Sequence, residues 1–387
     1  MLPYDELLNQ LRQKSLFREL RTIEEIQGPM VRMGDRFLVN FASNDYLGLS
    51  QHPSVKAAAK AAIDRFGAGS GASRLVTGTE SPHTELEEEL ATFKGTESAL
   101  LFSSGYAAAI GAITSLVGPG DVVILDKLAH ACLIDGAKLS GAALRVFPHN
   151  NAAKLKHHLC WARQTYPQGK TLIVTESIFS MDGDFGDLAA IVGLKTEFQA
   201  LLLVDEAHAT GVVGPRGAGW VATLGLTQEV EIQMGTLSKA FGASGGFICG
   251  SKTLIHLLIN RARSFIYSTA LAPPSAAAAS AALEILRTEE GEVLRSRLRR
   301  NVRLLVECLT PAPRQLPDPV SPIFPLVIGD EQQTLLVAET LSSHGFLAPA
   351  IRYPTVARGS ARVRIALSSS HTLEQIQSLS RTIIALR

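Results

Sequence analysis

Between residues 98 and 250 the chain repeats one pattern: a short apolar run, then a stretch of helix formers. The runs are SALLFS (98–103), DVVILD (121–126), LRVFP (144–148), TLIVTES (171–177), ALLLVDE (200–206), EIQMGTL (231–237) and GFICG (246–250). A strand that is apolar at successive positions, not only at every second one, is buried on both faces. A largely parallel sheet sandwiched between helices provides that burial. The intervening AAIGAITSLVG and LAAIVGLKTEF have the length and composition of covering helices. The pattern therefore predicts an α/β, three-layer architecture with a mostly parallel central sheet. In such sheets ligands sit beyond the carboxyl ends of the strands, so polar residues just past each run carry the functional reading.

The flanking segments read differently. Leucines at helical spacing with mixed charge predict an amphipathic helix over residues 4–26. SVKAAAKAAIDRFG is a helix stopped at Gly67, and GAGSGASRLVTGTES after it is a long loop of the kind that carries function. After SFIYSTALAPP (264–274) an Ala-rich helical segment runs to about residue 308, and TPAPRQLPDPVSP is a proline-studded link. IFPLVIG, FLAPAIR and ARVRIALS read as strands of a smaller α+β domain, with helices at EQQTLLVAETLSSHG and LEQIQSLSRTII. The expected division is an N-terminal segment over 1–45, a large domain over 46–285 and a small C-terminal domain over 286–387. Lys plus Arg number 37 against 36 Asp plus Glu, so no global field gathers nucleic acid or anionic membrane. The four cysteines are scattered without Cys-x-x-Cys spacing, which argues against a zinc site or a disulfide framework and for a reducing, cytoplasmic setting. Ser103, Ser104, Gly105 and Tyr106 interrupt the uncharged run SALLFSSGYAAAIGAITSLVGPG, so a single membrane span is not expected there.

The chemistry concentrates in VDEAHATGVVG (204–214) and GTLSKAFGASGG (235–246). Lys239 lies among small residues after a strand, where a planar group could approach its amine; an isolated lysine would ordinarily be a solvated one. Asp205 closes a strand, a place that also suits a turn or helix cap, and His208 follows three residues later. A lysine that forms a Schiff base with an aldehyde, and a carboxylate that keeps a pyridine nitrogen protonated, form the layout of a pyridoxal-phosphate enzyme. The cofactor's phosphate needs donors. Gly105 and Tyr106 stand at a strand-to-helix turn that can make an anion cup, Thr236 offers a hydroxyl, and Ser268 and Thr269 are further candidates, from this or a second subunit. His130, after DVVILD, could stack on the ring or simply face solvent from a helix start. Ser180 and Asp182 lie in SIFSMDGD, which also suits a plain turn. Arg352, Arg362 and Arg364 are candidate carboxylate clamps, because a guanidinium donates two parallel hydrogen bonds; Arg362 and Arg364 share a strand face, and one of them is open to being solvated. Asn44 and Asp45 belong to the same candidate set, or to a turn.

SNDYLGLSQHP, GSGASRLVTGT, SIFSMDGD, DEAHATGVVG, TLSKAFG and IRYPTV occur in this order and together resemble the α-oxoamine synthases, of fold type I of the pyridoxal-phosphate enzymes. The resemblance runs from about residue 20 to the C-terminus. It implies a homodimer with the active site at the subunit interface. It implies catalytic roles for Lys239 (Schiff base), Asp205 (pyridinium nitrogen), His208 (phenolate oxygen) and His130 (ring stacking). Ser180, Gly105, Tyr106 and Thr236 would surround the cofactor, and Arg21, Asn44, His130, Thr355 and Arg364 would contact substrate, with Arg364 on the amino-acid carboxylate. No metal is implied. The biotin-pathway branch is the best match, so the implied reaction is the decarboxylative condensation of L-alanine with a pimeloyl thioester of coenzyme A or acyl carrier protein. The alternatives are a glycine-using relative, of the 2-amino-3-ketobutyrate ligase or 5-aminolevulinate synthase type, and a non-catalytic binding protein. Ala209 stands where the family pattern has glycine, and Ser238-Lys239-Ala240 replaces a more glycine-rich turn.

Overall fold

A computed structural model describes residues 3–310 and 320–386, so most of the proline-studded link lies outside the described residues. Contacts group the chain into two units, one of residues 1–48, 181–183 and 296–387, the other of 49–180 and 184–295.

In the first unit, strands β1 (Glu25–Gln27), β2 (Met30–Met33) and β3 (Arg36–Asn40) form an antiparallel meander. The second unit holds β4 (Ser98–Phe102), β5 (Val122–Asp126), β6 (Ala143–Phe147), β7 (Thr171–Glu176), β8 (Leu201–Asp205), β9 (Ile232–Thr236) and β10 (Gly246–Gly250). These form one seven-stranded sheet in the order β4-β10-β9-β8-β7-β5-β6. β10 runs antiparallel to β4 and β9, and the other pairings are parallel. This is the mostly parallel sheet that the apolar runs predict.

The continuous runs are explained by two cores. Leu203, Leu172, Val174, Val123 and Leu125 pack on one face with the helices Gly105–Leu116 and Ala131–Ser140. Leu202, Val204, Ile173, Val122 and Ile124 pack on the other with the helices Ala152–Thr165 and Leu188–Phe198. Successive strand residues therefore enter opposite cores, and each fully buried Leu or Val contributes about 1.5–3 kcal/mol. Asp205 lies two residues beyond Leu203 and so leaves the strand on the side of the helix Gly105–Leu116.

Strands β11 (Ile323–Gly329), β12 (Phe346–Leu347), β13 (Ala350–Ile351) and β14 (Ala361–Ala366) return to the first unit. β12 pairs in parallel with β3, and residues 1–48 group with the C-terminal segment. FLAPAIR is two strands in different sheets, interrupted at Pro349. The helix expected over 4–26 spans Pro3–Gln13, because Ser15 turns into the left-handed region (φ 54°) and ends it. The Ala-rich segment is two helices, Pro273–Arg287 and Glu289–Leu309, broken at the extended Thr288. Among the described residues no helix is long and apolar enough to cross a membrane.

Candidate active site

In the second unit the segments that follow β4, β5, β7, β8 and β9 line one cavity of about 230 Å³. Asp205 closes β8 in it, 5% exposed, with Oδ1 accepting a hydrogen bond from the Ala207 amide at 2.8 Å. Burial raises its pKa; the Lys239 charge, that amide and His130 oppose the rise, and Glu206 adds to it. The chain then turns, with the Ala209 and Thr210 amides on the Glu206 carbonyl at 3.0 and 2.8 Å, and this turn presents the buried His208.

Lys239 meets it from the segment after β9, its Nζ 2.7 Å from His208 Nε2. A tight turn fixes the lysine: Gly242 N–H donates to the Lys239 carbonyl and Ala243 N–H to the Leu237 carbonyl, both at 2.9 Å. Gly242 has φ +65°, and a Cβ there would lie 2.1 Å from the Ser50 amide nitrogen, so only glycine fits. Thr236 Oγ1 donates to the Gly245 carbonyl at 2.9 Å and lies 2.8 Å from Ser238 Oγ.

After β4, Ser104 caps the helix Gly105–Leu116 by accepting from the Ala107 amide at 3.1 Å. First-turn amides have no partner within a helix, and the dipole there favours an anion. Gly105, Thr236 and Ser238 line the cavity together, so it opens on that anion-favouring end. Tyr106, 46% exposed, donates its hydroxyl to Asp135 at 2.5 Å. After β5, His130 caps the helix Ala131–Ser140, with Nδ1 accepting from the Cys132 amide at 3.3 Å. Its residue is exposed, while desolvation on the protein side lowers the ring's pKa against the pull of Asp205.

The cavity also holds a residue that sequence reasoning missed. Glu176 ends β7 directly opposite Asp205 in the register and accepts the His130 amide at 2.5 Å. Burial, then the Asp205 charge, lifts its pKa well above the carboxylate range. Its signal was available in TLIVTES, a carboxylate ending an apolar run as Asp205 does in ALLLVDE. Cys132 lines the same space, and burial raises its pKa.

Other sequence candidates lie outside this lining. Ser180 is buried in a turn closed by Phe179 N–H on the Asp184 carbonyl at 3.0 Å. Thr269 bridges Ser73, and Ser268 Oγ donates to the Thr269 carbonyl. In the first unit Arg364, 4% exposed, donates to Asn44 Oδ1 at 3.0 Å and to the Tyr46 hydroxyl at 3.5 Å. Burial pushes Tyr46 up to about 12. Arg362 is buried as well, held by Asp182 Oδ1 at 2.6 Å and the Met181 carbonyl at 3.1 Å, so neither arginine of ARVRIA is solvated. Arg352 donates to the Ser15 and Phe17 carbonyls, which occupies it structurally. Arg21 and Thr355 are exposed.

A buried acid, a lysine amine, a histidine and a helix N-terminus at the carboxyl edge of a parallel sheet suit a cofactor with a cationic ring, a carbonyl and a phosphate. A ring cation would stabilise the buried Asp205 carboxylate, whose pKa burial raises, and the helix start would take the anionic end. That geometry defines the class. The chain belongs to the aminotransferase class I and II family, which it matches over residues 37–383, and within it to the α-oxoamine synthases.

The curated relatives narrow this further. The 8-amino-7-oxononanoate synthase of Geobacter sulfurreducens is 46% identical over 364 residues, 94% of this chain and 92% of the relative. That of Pelobacter propionicus is 44% identical over 369 residues, 95% of this chain and 94% of the relative. Among solved structures, a serine palmitoyltransferase from S. paucimobilis with a bound PLP–myriocin aldimine superposes with a TM-score of 0.91. It is 29% identical and covers 99% of this chain and 96% of its own.

Proposed function

We propose that the protein makes 8-amino-7-oxononanoate by condensing L-alanine with a pimeloyl thioester, releasing carbon dioxide and the thiol carrier, with pyridoxal phosphate as cofactor. The observation that carries this reading is the meeting of the Lys239 amine, His208 and the buried Asp205 in one cavity, 2.7 Å separating the first two. Bound there, pyridoxal phosphate supplies a conjugated cationic ring that accepts the electron pair left on the amino-acid α-carbon.

The chain's own groups do the rest. Lys239 is the amine that holds the cofactor covalently and, when free, carries the α-proton. Asp205 holds a proton on the ring nitrogen, because a buried carboxylate gains most from a cation beside it. His208, in contact with the lysine, orients the ring's phenolate oxygen and the amine. The first turn of the helix Gly105–Leu116 binds the phosphate, aided by Thr236. His130 would stack on the ring, and Glu176 fixes His130 by accepting its backbone amide. Arg364, held by Asn44 and Tyr46, binds the alanine carboxylate; Arg21 and Thr355 are further substrate contacts, and Ser180, Ser268 and Thr269 further cofactor contacts. Residues 46–285 form the cofactor-binding domain and 286–387 the smaller one. The enzyme works in the cytoplasm as a homodimer with its site at the interface, and its acyl donor is carried by coenzyme A or acyl carrier protein. Exposed Leu75 and Val76, at 53% and 74%, support an interface at that loop.

Purified protein given alanine and a pimeloyl thioester should release 8-amino-7-oxononanoate, detected by mass spectrometry, and turn over glycine or acetyl and succinyl thioesters far more slowly. Lys239→Ala should lose turnover by about 10⁴-fold or more while keeping the fold. Equal rates with glycine would move the reading to a glycine-using relative.

A further inference from the structure

Cys132 lines the cavity, is 2% exposed and takes no part in the chemistry above. It is the second residue of the helix Ala131–Ser140, and His130 caps that helix. Two contacts join them: the Cys132 amide donates to His130 Nδ1 at 3.3 Å, and Cys132 Sγ lies 3.0 Å from the same nitrogen. An amide N–H can only donate, so Nδ1 carries a lone pair and the proton of the neutral ring sits on Nε2. The thiol then has one way to bond that nitrogen, as an S–H donor. A charged ring would turn an Nδ1–H against the amide N–H, and it would place a cation at the positive end of a helix. The two contacts therefore disfavour the charged ring and the other tautomer together.

The charges around His130 do not supply this by themselves. The ionisable groups that face it are Asp205 from β8, Glu176 from β7, His208 and Lys239 from the segments after β8 and β9, Tyr106 from the helix Gly105–Leu116, and Cys132 and Asp135 from its own helix. Asp205 and Asp135 pull the ring toward the charged form, and Lys239 opposes them. We propose that Cys132 is a positioning residue for His130: its amide and its thiol hold the imidazole in place, neutral, with the proton on Nε2. The proposal rests on the reading of the cavity as a pyridoxal-phosphate pocket, where a neutral ring can stack on a cationic one and a charged ring would be repelled.

The test is nitrogen NMR of the whole protein carrying isotope-labelled histidine, before and after loading with pyridoxal phosphate, the His130 signals being those lost in His130→Gln. Between about pH 5.5 and about pH 8, either side of the ordinary histidine value of about 6.5, wild-type Nδ1 should report an unprotonated acceptor and Nε2 a protonated nitrogen. Cys132→Val fills the space without a donor. The titration midpoint of His130 should then rise by about one pH unit, about tenfold more charged ring at a given pH. Cys132→Ser, whose hydroxyl donates from the same place, should return the midpoint toward the wild-type position. A role limited to packing predicts the opposite order, with valine close to wild type and the buried hydroxyl worse, and that order would overturn the proposal. So would a wild-type ring with its proton on Nδ1. If Cys132→Val does not fold, the S–H stretching band of Cys132, taken from the Raman difference between wild type and Cys132→Ser, still decides. A band lowered by hydrogen bonding supports the proposal, and the band of a free thiol overturns it. Protein that retains pyridoxal phosphate on gel filtration but charges His130 in this pH range would overturn this role alone. Protein with the neutral Nε2–H ring that retains no cofactor would overturn the reading of the pocket, and the role with it.

Discussion

At the scale of single residues, the proposed function assigns Asp205 and Lys239 jobs that no neighbour can take over. Asp205→Asn keeps the shape and removes the charge that balances a ring cation. Its kcat should fall by about 10²-fold or more, roughly 2.7 kcal/mol, with weaker retention of the cofactor, both measurable in steady-state assays. Buried Lys94 donates to the buried Glu206 carboxylate, so Lys94→Met, which leaves that carboxylate without its cation, should lower stability by about 3–5 kcal/mol, read by urea unfolding. Asp205, His208 and Lys239 could be read from their spacing because strand-end position and small neighbours are local properties. Glu176 could not be separated in the same way from the many carboxylates that end strands, since its weight comes from facing Asp205 across the register. Lys94 offered no signal: its partner is 112 positions away.

At the scale of elements, the loop after β7 is pinned by a histidine. His149 Nδ1 lies 3.1 Å from Asp126 Oδ1 at the end of β5, Nε2 lies 2.7 Å from Asp184, and the ring packs edge-on against Phe179. Desolvation lowers its pKa, but the two aspartates outweigh it and raise the pKa to about 10. The folded state thus holds this proton more tightly than the unfolded chain, whose histidine titrates near ~6.5. The stabilisation is complete below about pH 6.5 and is lost as pH rises through about 10. Urea unfolding of wild type should lose on the order of 2 kcal/mol from this source between those pH values, allowing for partial exposure. His149→Gln should remove that part of the pH dependence; an unchanged profile would refute the clamp. The strands themselves were legible because their apolar runs are continuous. The helix ending at Gln13 was not, because Ser15's left-handed backbone is set by packing and not by the leucine spacing.

At the scale of the whole molecule, exposed Leu75 and Val76 in a glycine-rich loop are costly to leave in water. Sedimentation should give about twice the chain mass, and Val76→Asp should shift the population toward monomer with loss of activity. A wild-type monomer with full activity would remove the interface from the account. The grouping of residues 1–48 with the C-terminal segment belongs to this scale too, since it depends on β3 pairing with a strand some three hundred residues later.

By itself the amino-acid sequence determined the layer architecture and singled out the strand-end residues Asp205, His208 and Lys239 that line one cavity, because hydrophobic period and turn composition act over a few residues. Only the tertiary structure decided that Glu176 faces Asp205, that Arg352 is bound to backbone while Arg364 is held by Asn44, and that Lys94 answers the charge of Glu206. Those outcomes depend on through-space Coulomb and hydrogen-bond contacts between segments far apart in the chain, and such contacts leave no periodic mark along it.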